Sequence, residues 1–245
     1  MRIAVVSDIH GNLTALEAVV ADLRRCAPDL VLQGGDLPLS GAHPGEVVDR
    51  VRELGWPGVC GNTDEVLWAP ELLSDLARRQ PQLHAMWQVI EQITARTCEW
   101  LGEERLGWLR GLPREHRLGP VALVHASPGD LWRSPLADAS DADLKATYQA
   151  LAAPIVVYGH IHRPFVRKLG ARVVANTGSV SLSYDGDPRA SYLLVDGLDV
   201  TIRRVEYDVE REAAALRRSG LPRSDWLCAT LRAARYLPLP EESRG

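Results

Sequence analysis

No apolar run in this 245-residue chain approaches the roughly 18 positions of a membrane-spanning helix, so no membrane association is expected. Paired cysteines are missing too. Cys26, Cys60, Cys98 and Cys228 are dispersed with no CxxC among them, which speaks against a zinc knuckle and a disulfide framework. They read as reduced thiols packed as small apolar groups in a cytoplasmic protein. Neither sign of charge is in large excess: the formal net charge is −4, and nothing points to an extended nucleic-acid surface. No leader is expected, because Met1-Arg2 runs straight into apolar residues. No repeat or low-complexity tract stands out.

What is present is an ordinary globular composition, 46% hydrophobic and 24% charged, long enough to bury a substantial core. Ile3 to Val6 reads as a buried strand, followed by Asp8, His10 and a helix with Leu16, Val19, Val20 and Leu23 at helical spacing. Asn12 suits its N-cap. A second strand over Asp29 to Gln33 ends in Gly35-Asp36, and a short third, Gly58 to Cys60, ends in Gly61-Asn62.

From Glu65 to about Leu112 the pattern turns helical, with Leu83, Met86, Trp87, Ile90, Ile93, Thr97 and Leu101 on one stripe. Trp68, Trp87, Trp100 and Trp108 fall here and read first as core, second as a face for a substrate or another subunit. Strands resume at Val121 to Val124, ending at His125. A helix follows near Asp141 to Leu151, and Ile155 to Tyr158 leads into Gly159-His160-Ile161-His162. Short strands fill the stretch to about Glu206, and an Arg-rich helical stretch follows from Asp208, with a Pro-containing end. Strands alternating with helices indicate an α/β fold (α+β in part). The expected organisation is one domain over residues 1–245, with a helical insertion over about 65–112 and a helical tail over about 208–245.

Five apolar strands therefore run into a metal-competent residue: Asp8, Asp36, Asn62, His125 and His160. If the strands share a direction, these side chains emerge at one edge, where open α/β sheets place their sites. His10 and His162 each lie two residues from a partner. A single Asp at a strand end is commonly a turn former or cap; the same donor class at five ends needs another explanation. Two Asp, four His and one Asn offer oxygen and imidazole nitrogen without thiolate, which suits Mn, Fe, Zn, Ni or Co in a hydrolytic site. Seven donors exceed one open tetrahedral ion and match two ions sharing a bridge, for which Asp36 is the natural carboxylate. His43, His84 and His116 read as surface residues.

Asp8-Ile9-His10, Gly35-Asp36, Gly61-Asn62, His125 and Gly159-His160-Ile161-His162 resemble, in order, the motif series of calcineurin-like metallophosphoesterases, in particular the small stand-alone prokaryotic members. Asn176-Thr177-Gly178-Ser179-Val180 is similar to that family's Asn-Pro-Gly-Ser loop, with Thr for Pro. The resemblance implies a four-layer αββα sandwich of two mixed β-sheets flanked by helices, around a dinuclear centre. It implies Asp8, His10 and His162 on one divalent ion, Asn62, His125 and His160 on the other, and Asp36 bridging. The ions, Mn first among them, would lie roughly 3.5–4 Å apart with a bridging hydroxide as nucleophile toward a phosphomonoester or phosphodiester. Asn62 could also bond the phosphate.

One departure bears on the substrate. Where many phosphatases of that family carry a His after the motif Asn, this chain has Thr63-Asp64. Thr is no efficient general acid, so activated esters or diesters are better expected than alkyl monoesters. Asp64 either orients this loop or caps the next helix. Arg133 and Arg163 follow motif histidines and would touch phosphate or lie on surface loops. Asn176 and Ser179 read as shaping the loop beside His160. The expected partner is a small phosphate ester, with a nucleotide among the candidates and a homodimer left open. The alternative is a scaffold that keeps the fold and metal site with little turnover, which a full donor set disfavours. An amidohydrolase barrel would open with His-x-His, whereas this chain opens with Asp-x-His.

Overall fold

The computed structural model describes residues 1–240. The strands in chain order are β1 (Arg2–Val6), β2 (Leu30–Gln33), β3 (Glu115–Leu118), β4 (Val121–Val124), β5 (Ile155–Tyr158), β6 (Phe165–Leu169), β7 (Arg172–Asn176), β8 (Ala190–Asp196) and β9 (Asp199–Val205). They form two mixed sheets, ordered β2-β1-β8-β9 and β3-β4-β5-β7-β6. In the first, β1 pairs parallel with β2 and antiparallel with β8; in the second, β4, β5 and β7 are mutually parallel neighbours.

Strand periodicity dictates the layers. Along β1, Ile3 and Val5 join Val121, Leu123, Ile155 and Val157 in a core between the sheets. Ala4 and Val6 face the opposite way, into the core beneath the helices of the first sheet. On the second sheet Val156 and Tyr158 turn outward onto Leu144 and Tyr148 of a helix. Each such aliphatic side chain taken fully from water stabilises the fold by roughly 1.5–3 kcal/mol. The result is helix, sheet, sheet, helix, as the motif series implied.

Eight α-helices complete the described residues. α1 (Leu13–Cys26) starts at Asn12, whose side chain accepts from Ala15 N, as the capping pattern predicted. α2 (Pro44–Leu54) and the one-turn α3 (Asn62–Glu65) follow. Gly58 to Cys60 makes only a single bridge to Gln33 rather than a strand. Pro57 before it has no N–H to donate, Cys60 bonds Pro113 instead, and Asn62 already begins a helix.

α4 (Glu71–Arg79) and α5 (His84–Arg110) occupy the expected helical segment, with a break at Gly102, whose φ of 68° lies in the left-handed region. The stripe on α5 divides along its length. Ile93, Thr97 and Leu101 are buried, whereas Leu83, Met86, Trp87 and Ile90 line an open cleft. α6 (Asp141–Tyr148) covers the second sheet. The tail folds as α7 (Val209–Ser219) and α8 (Ser224–Ala233), separated at Gly220, and buries Leu216, Trp226, Leu227 and Leu231 against the helices of the first sheet. The end of the expected tail, residues 241–245, lies outside the described residues. Among the described residues, no helix is long and apolar enough to cross a membrane.

Candidate metal centre

The parallel strands β1 and β2 of one sheet and β4 and β5 of the other deliver Asp8, Asp36, His125 and His160 just past their C-terminal ends. The backbone there is unusual. Asp8, His10, Asp36, His160 and His162 have φ of 57°, 49°, 56°, 67° and 55°. This left-handed region is one that Asp, Asn and His enter more readily than other non-glycine residues, at a cost of order 1–3 kcal/mol each. The surrounding bonds hold it: Asp8 N donates to Gly35 O and His10 N to Asp36 O, both at 3.0 Å. His160 N donates to Asp8 Oδ1 at 3.1 Å. Gly61 and Gly159 are required because a Cβ on either would collide with the carboxylates of Asp36 and Asp8.

Asp8, His10, Asp36 and His162 are buried and each place one donor atom within 4.8 Å of the others. His162 Nε2 lies 3.1 Å from Asp8 Oδ1 and 3.2 Å from His10 Nε2. Beside them, Asn62 Oδ1 is 2.9 Å from His125 Nε2 and 3.0 Å from His160 Nδ1. Asp36 Oδ2 sits between the two groups, 3.7 Å from His10 Nε2 and 3.5 Å from His125 Nε2. All seven residues singled out from the sequence therefore converge.

Backbone carbonyls decide which imidazole nitrogens face inward. Nδ1 of His10 lies 3.0 Å from Leu39 O, that of His125 2.8 Å from Gly34 O, and that of His162 2.6 Å from Leu182 O. A carbonyl only accepts, so each Nδ1 carries the proton and, in the neutral ring, Nε2 presents a lone pair to the cluster. His160 is reversed: Nε2 donates to Trp132 O at 3.2 Å and Nδ1 faces inward. In this arrangement the lone pairs of His10 and His162 confront each other beside two carboxylates. A divalent cation resolves that repulsion, and the donor set of carboxylate, amide oxygen and imidazole suits one.

The titration behaviour has the same origin. Burial disfavours the charged form of Asp8, yet the surrounding imidazoles, His162 first and then His125 and His10, together outweigh it and hold the carboxyl well below its usual range. Burial keeps His10 low, and burial with neighbouring His125 pushes His160 down to about 4. For His125 burial is overcome by Asp36 and Asp8, which raise it; a proton there does what a cation would do.

Asp64 is fully buried and does both things expected of it. It accepts from Gly61 N at 2.7 Å at the start of α3, and from Asp36 N and Leu37 N at 2.9 Å each. Burial and the charge of Asp36 push its pKa up to about 6 against the pull of these N–H groups. Thr63 N donates to Asp36 Oδ1 at 2.9 Å, and its side chain borders the cleft. Arg133 also lines the cleft and forms no ion pair among the described residues. Arg163 does not line it; its Nε donates to Tyr184 O at 2.9 Å. Asn176 Nδ2 donates to Gly159 O at 2.5 Å and Ser179 Oγ to Asp8 O at 2.8 Å, so both brace the loops beneath the cluster. His43 and His116 are half-buried, His84 is exposed, and none joins the cluster.

Sequence reasoning passed over Ser7, whose hydroxyl donates to Asp8 Oδ2 at 2.5 Å, Tyr184, stacked on His162 at 4.6 Å, and Trp132, which orients His160. Trp132 had a signal in its neighbour Arg133. The carbonyls of Leu39 and Leu182 had none, since any residue supplies one. The cluster opens into a cleft of about 940 Å³ bounded by α4, α5, α8 and the loop carrying Trp132.

Residues 1–199 match the model of the calcineurin-like phosphoesterase superfamily domain. Uncharacterized protein MJ0912 of Methanocaldococcus jannaschii is 29% identical over 248 residues, covering 92% of this chain and 95% of its own. The crystal structure of a metallophosphoesterase from Sphaerobacter thermophilus superposes with a TM-score of 0.78 at 29% identity, over 96% of this chain and 99% of that one. Hypothetical protein PH1004 from Pyrococcus horikoshii OT3 shares the fold, with a TM-score of 0.83 at 19% identity over 95% and 98% of the two chains. With a clustered Asp/His site of metal-binding chemistry at the ends of two facing sheets, the chain belongs to the calcineurin-like phosphoesterase superfamily.

Proposed function

We propose that this protein is a metal-dependent phosphoesterase that hydrolyses small phosphomonoesters or phosphodiesters at a two-ion centre. The observation that carries the reading is the set of four imidazoles, each with one nitrogen bound to a backbone carbonyl and the other turned toward Asp8, Asp36 or Asn62. Asp8, His10 and His162 would hold one divalent ion, Asn62, His125 and His160 the other, with Asp36 between. Mn is the first candidate, then Fe, Zn, Ni or Co. When bound, such ions lower the pKa of a water and offset negative charge on phosphate oxygens.

The chain's own residues supply position and charge. The buried walls around His125 and Asp36 exclude bulk water and strengthen every electrostatic contact inside. Arg133, without an ion pair among the described residues, is the residue offered to phosphate at the cleft, and the Asn62 amide offers a further hydrogen bond. We assign the whole chain to one such domain, acting in the cytoplasm on a soluble ester.

The test is turnover of p-nitrophenyl phosphate and bis-p-nitrophenyl phosphate by metal-stripped protein, before and after adding Mn. Metal-restored hydrolysis of either ester is expected. A protein that binds two Mn ions and stays inactive toward both esters would point instead to a metal-holding scaffold.

A further inference from the structure

The cleft beside the cluster is far larger than a phosphate needs, and one part of its wall is apolar. Leu72 and Leu76 of α4, Leu83 and Ile90 on and beside α5, Trp87 and Trp132 all line it. His10, Asp36, His160 and His162 line the same space, so a group bound there is continuous with the candidate centre. A concave space lined by half-buried apolar side chains and running into a cluster of polar donors has the form of a small-ligand pocket.

The two indoles meet edge to face, ring centres 6.3 Å apart at 66°, and form an aromatic corner. Trp132 is held from three sides. Its Nε1 donates to Glu65 Oε2 at 3.1 Å, its N to Asp130 Oδ1 at 2.8 Å, and its carbonyl accepts from His160. A wall built this rigidly positions a flat group with little ordering cost.

The chemistry of the lining narrows that group further. Among the described residues lining the cleft, none outside the Asp/His cluster is a free acid suited to protonating a departing alkoxide. Asp130 is engaged by Trp132 N and Arg133 N, and Asp75 pairs with Arg78. Tyr236 donates to Met86 Sδ, and the Tyr184 ring is stacked flat on His162. Thr63 offers only a hydroxyl. A leaving group must therefore depart as a stable anion, which a phenol-like alcohol with a pKa of about 10 does and an alkyl alcohol does not.

We propose that this cleft is a leaving-group pocket, and that the substrate is a phosphate ester of an aromatic alcohol whose ring lies against Trp87 and Trp132. The proposal rests on the phosphoesterase reading above. A water oxygen bonds to phosphorus and yields its proton to solvent. The bond from phosphorus to the aryl oxygen breaks, its electron pair leaves on that oxygen, and solvent protonates the aryloxide.

The experiment compares 1-naphthyl, phenyl and n-octyl phosphate with full-length Mn-loaded protein, and titrates 1-naphthol calorimetrically into metal-stripped protein. Naphthyl phosphate is expected to show a KM about tenfold below that of phenyl phosphate, a difference that Trp87→Ala abolishes. Leu76→Trp, which crowds the aromatic corner from α4, guards against misfolding of the alanine variant and should weaken naphthol binding relative to the wild type. Equal KM values with no naphthol binding would overturn the pocket and leave the phosphoesterase standing. Octyl phosphate turned over as fast as the naphthyl ester would also overturn it, revealing an aliphatic site with a proton donor. Naphthol binding without any metal-dependent turnover would support the pocket and sink the phosphoesterase reading alone.

Discussion

Asp36 and Asp64 hold each other's loops in place. The Asp64 carboxylate accepts from Asp36 N and Leu37 N, while Asp36 Oδ1 accepts from Thr63 N, the residue just before Asp64. Asp36 can thus turn its second oxygen toward His10 and His125 without rotating freely. Asp64 acts on the centre through Asp36, from a position solvent does not reach.

Replacing Asp64 by Asn should expose that dependence. An amide has one acceptor oxygen where the carboxylate serves three N–H groups, so at least one donor is left buried and unpaired, costing about 1–3 kcal/mol. A lower Tm and about 10–100-fold weaker Mn binding are expected by thermal unfolding and metal titration. Unchanged Mn affinity in Asp64→Asn would show that Asp36 keeps its orientation unaided.

Asp36→Asn removes the carboxylate shared by both groups of donors. Metal content by elemental analysis should fall and turnover drop to background. His84→Ala, an exposed change outside the cluster and the cleft lining, should leave both near wild type and stability within about 0.5 kcal/mol. Similar losses in the two variants would refute the donor assignment. Chelation should lower the wild-type Tm much more than that of Asp36→Asn, because bound ions stabilise by about 2.7 kcal/mol at a hundredfold excess over Kd.

Gly159→Ala tests the close approach beneath His160. Its Cβ would press on Ser7 Oγ and Asp8 Oδ2, so Asp8 must shift. Loss of metal binding with a stability deficit of about 1–3 kcal/mol is the expected result, measured on folded protein by circular dichroism and metal titration. Full Mn occupancy in this variant would mean that Asp8 is dispensable.

Acid stability should be sensitive to Asp22, which does not line the cleft. Burial favours its neutral form, but bonds from Arg25 at 2.9 Å, Tyr192 at 2.7 Å and Arg203 at 3.1 Å win and lower its pKa below 3.8. A folded pKa below the unfolded one stabilises above the unfolded value, and that stability is lost as pH falls through the folded value. Asp22→Asn should therefore be less stable than wild type at pH 7, with the gap closing below about pH 4. Denaturant melts across that range decide it; a gap independent of pH contradicts it.

β1, β4 and β5 were legible because a run of apolar, largely β-branched residues is a local property; with Ile3 to Val6 apolar throughout, only the second sheet decides that Ile3 and Val5 face inward between the layers. β3 was not, since Glu115, His116 and Arg117 pair with β4 through backbone and carry no apolar run. Gly58 to Cys60 looked like a strand because of Val59, but Pro57 and the start of α3 leave room for one bridge only. The stripe on α5 was periodic throughout, and periodicity cannot tell a core face from a cleft face. Trp87 became a cleft wall because Trp132, 45 positions away in sequence, stands opposite it.

By itself the sequence determined which donors exist and that Asp8, Asp36, His125 and His160 follow strands, since strand propensity and the chemistry of Asp and His travel with each residue. Only the tertiary structure decided which nitrogen of each imidazole faces inward, because that choice belongs to carbonyls of Leu39, Gly34, Leu182 and Trp132, which any side chain could accompany. It also decided that Asp64 is a clamp and Arg163 a bystander. Those roles depend on what lies within three ångströms, and local sequence does not carry that information.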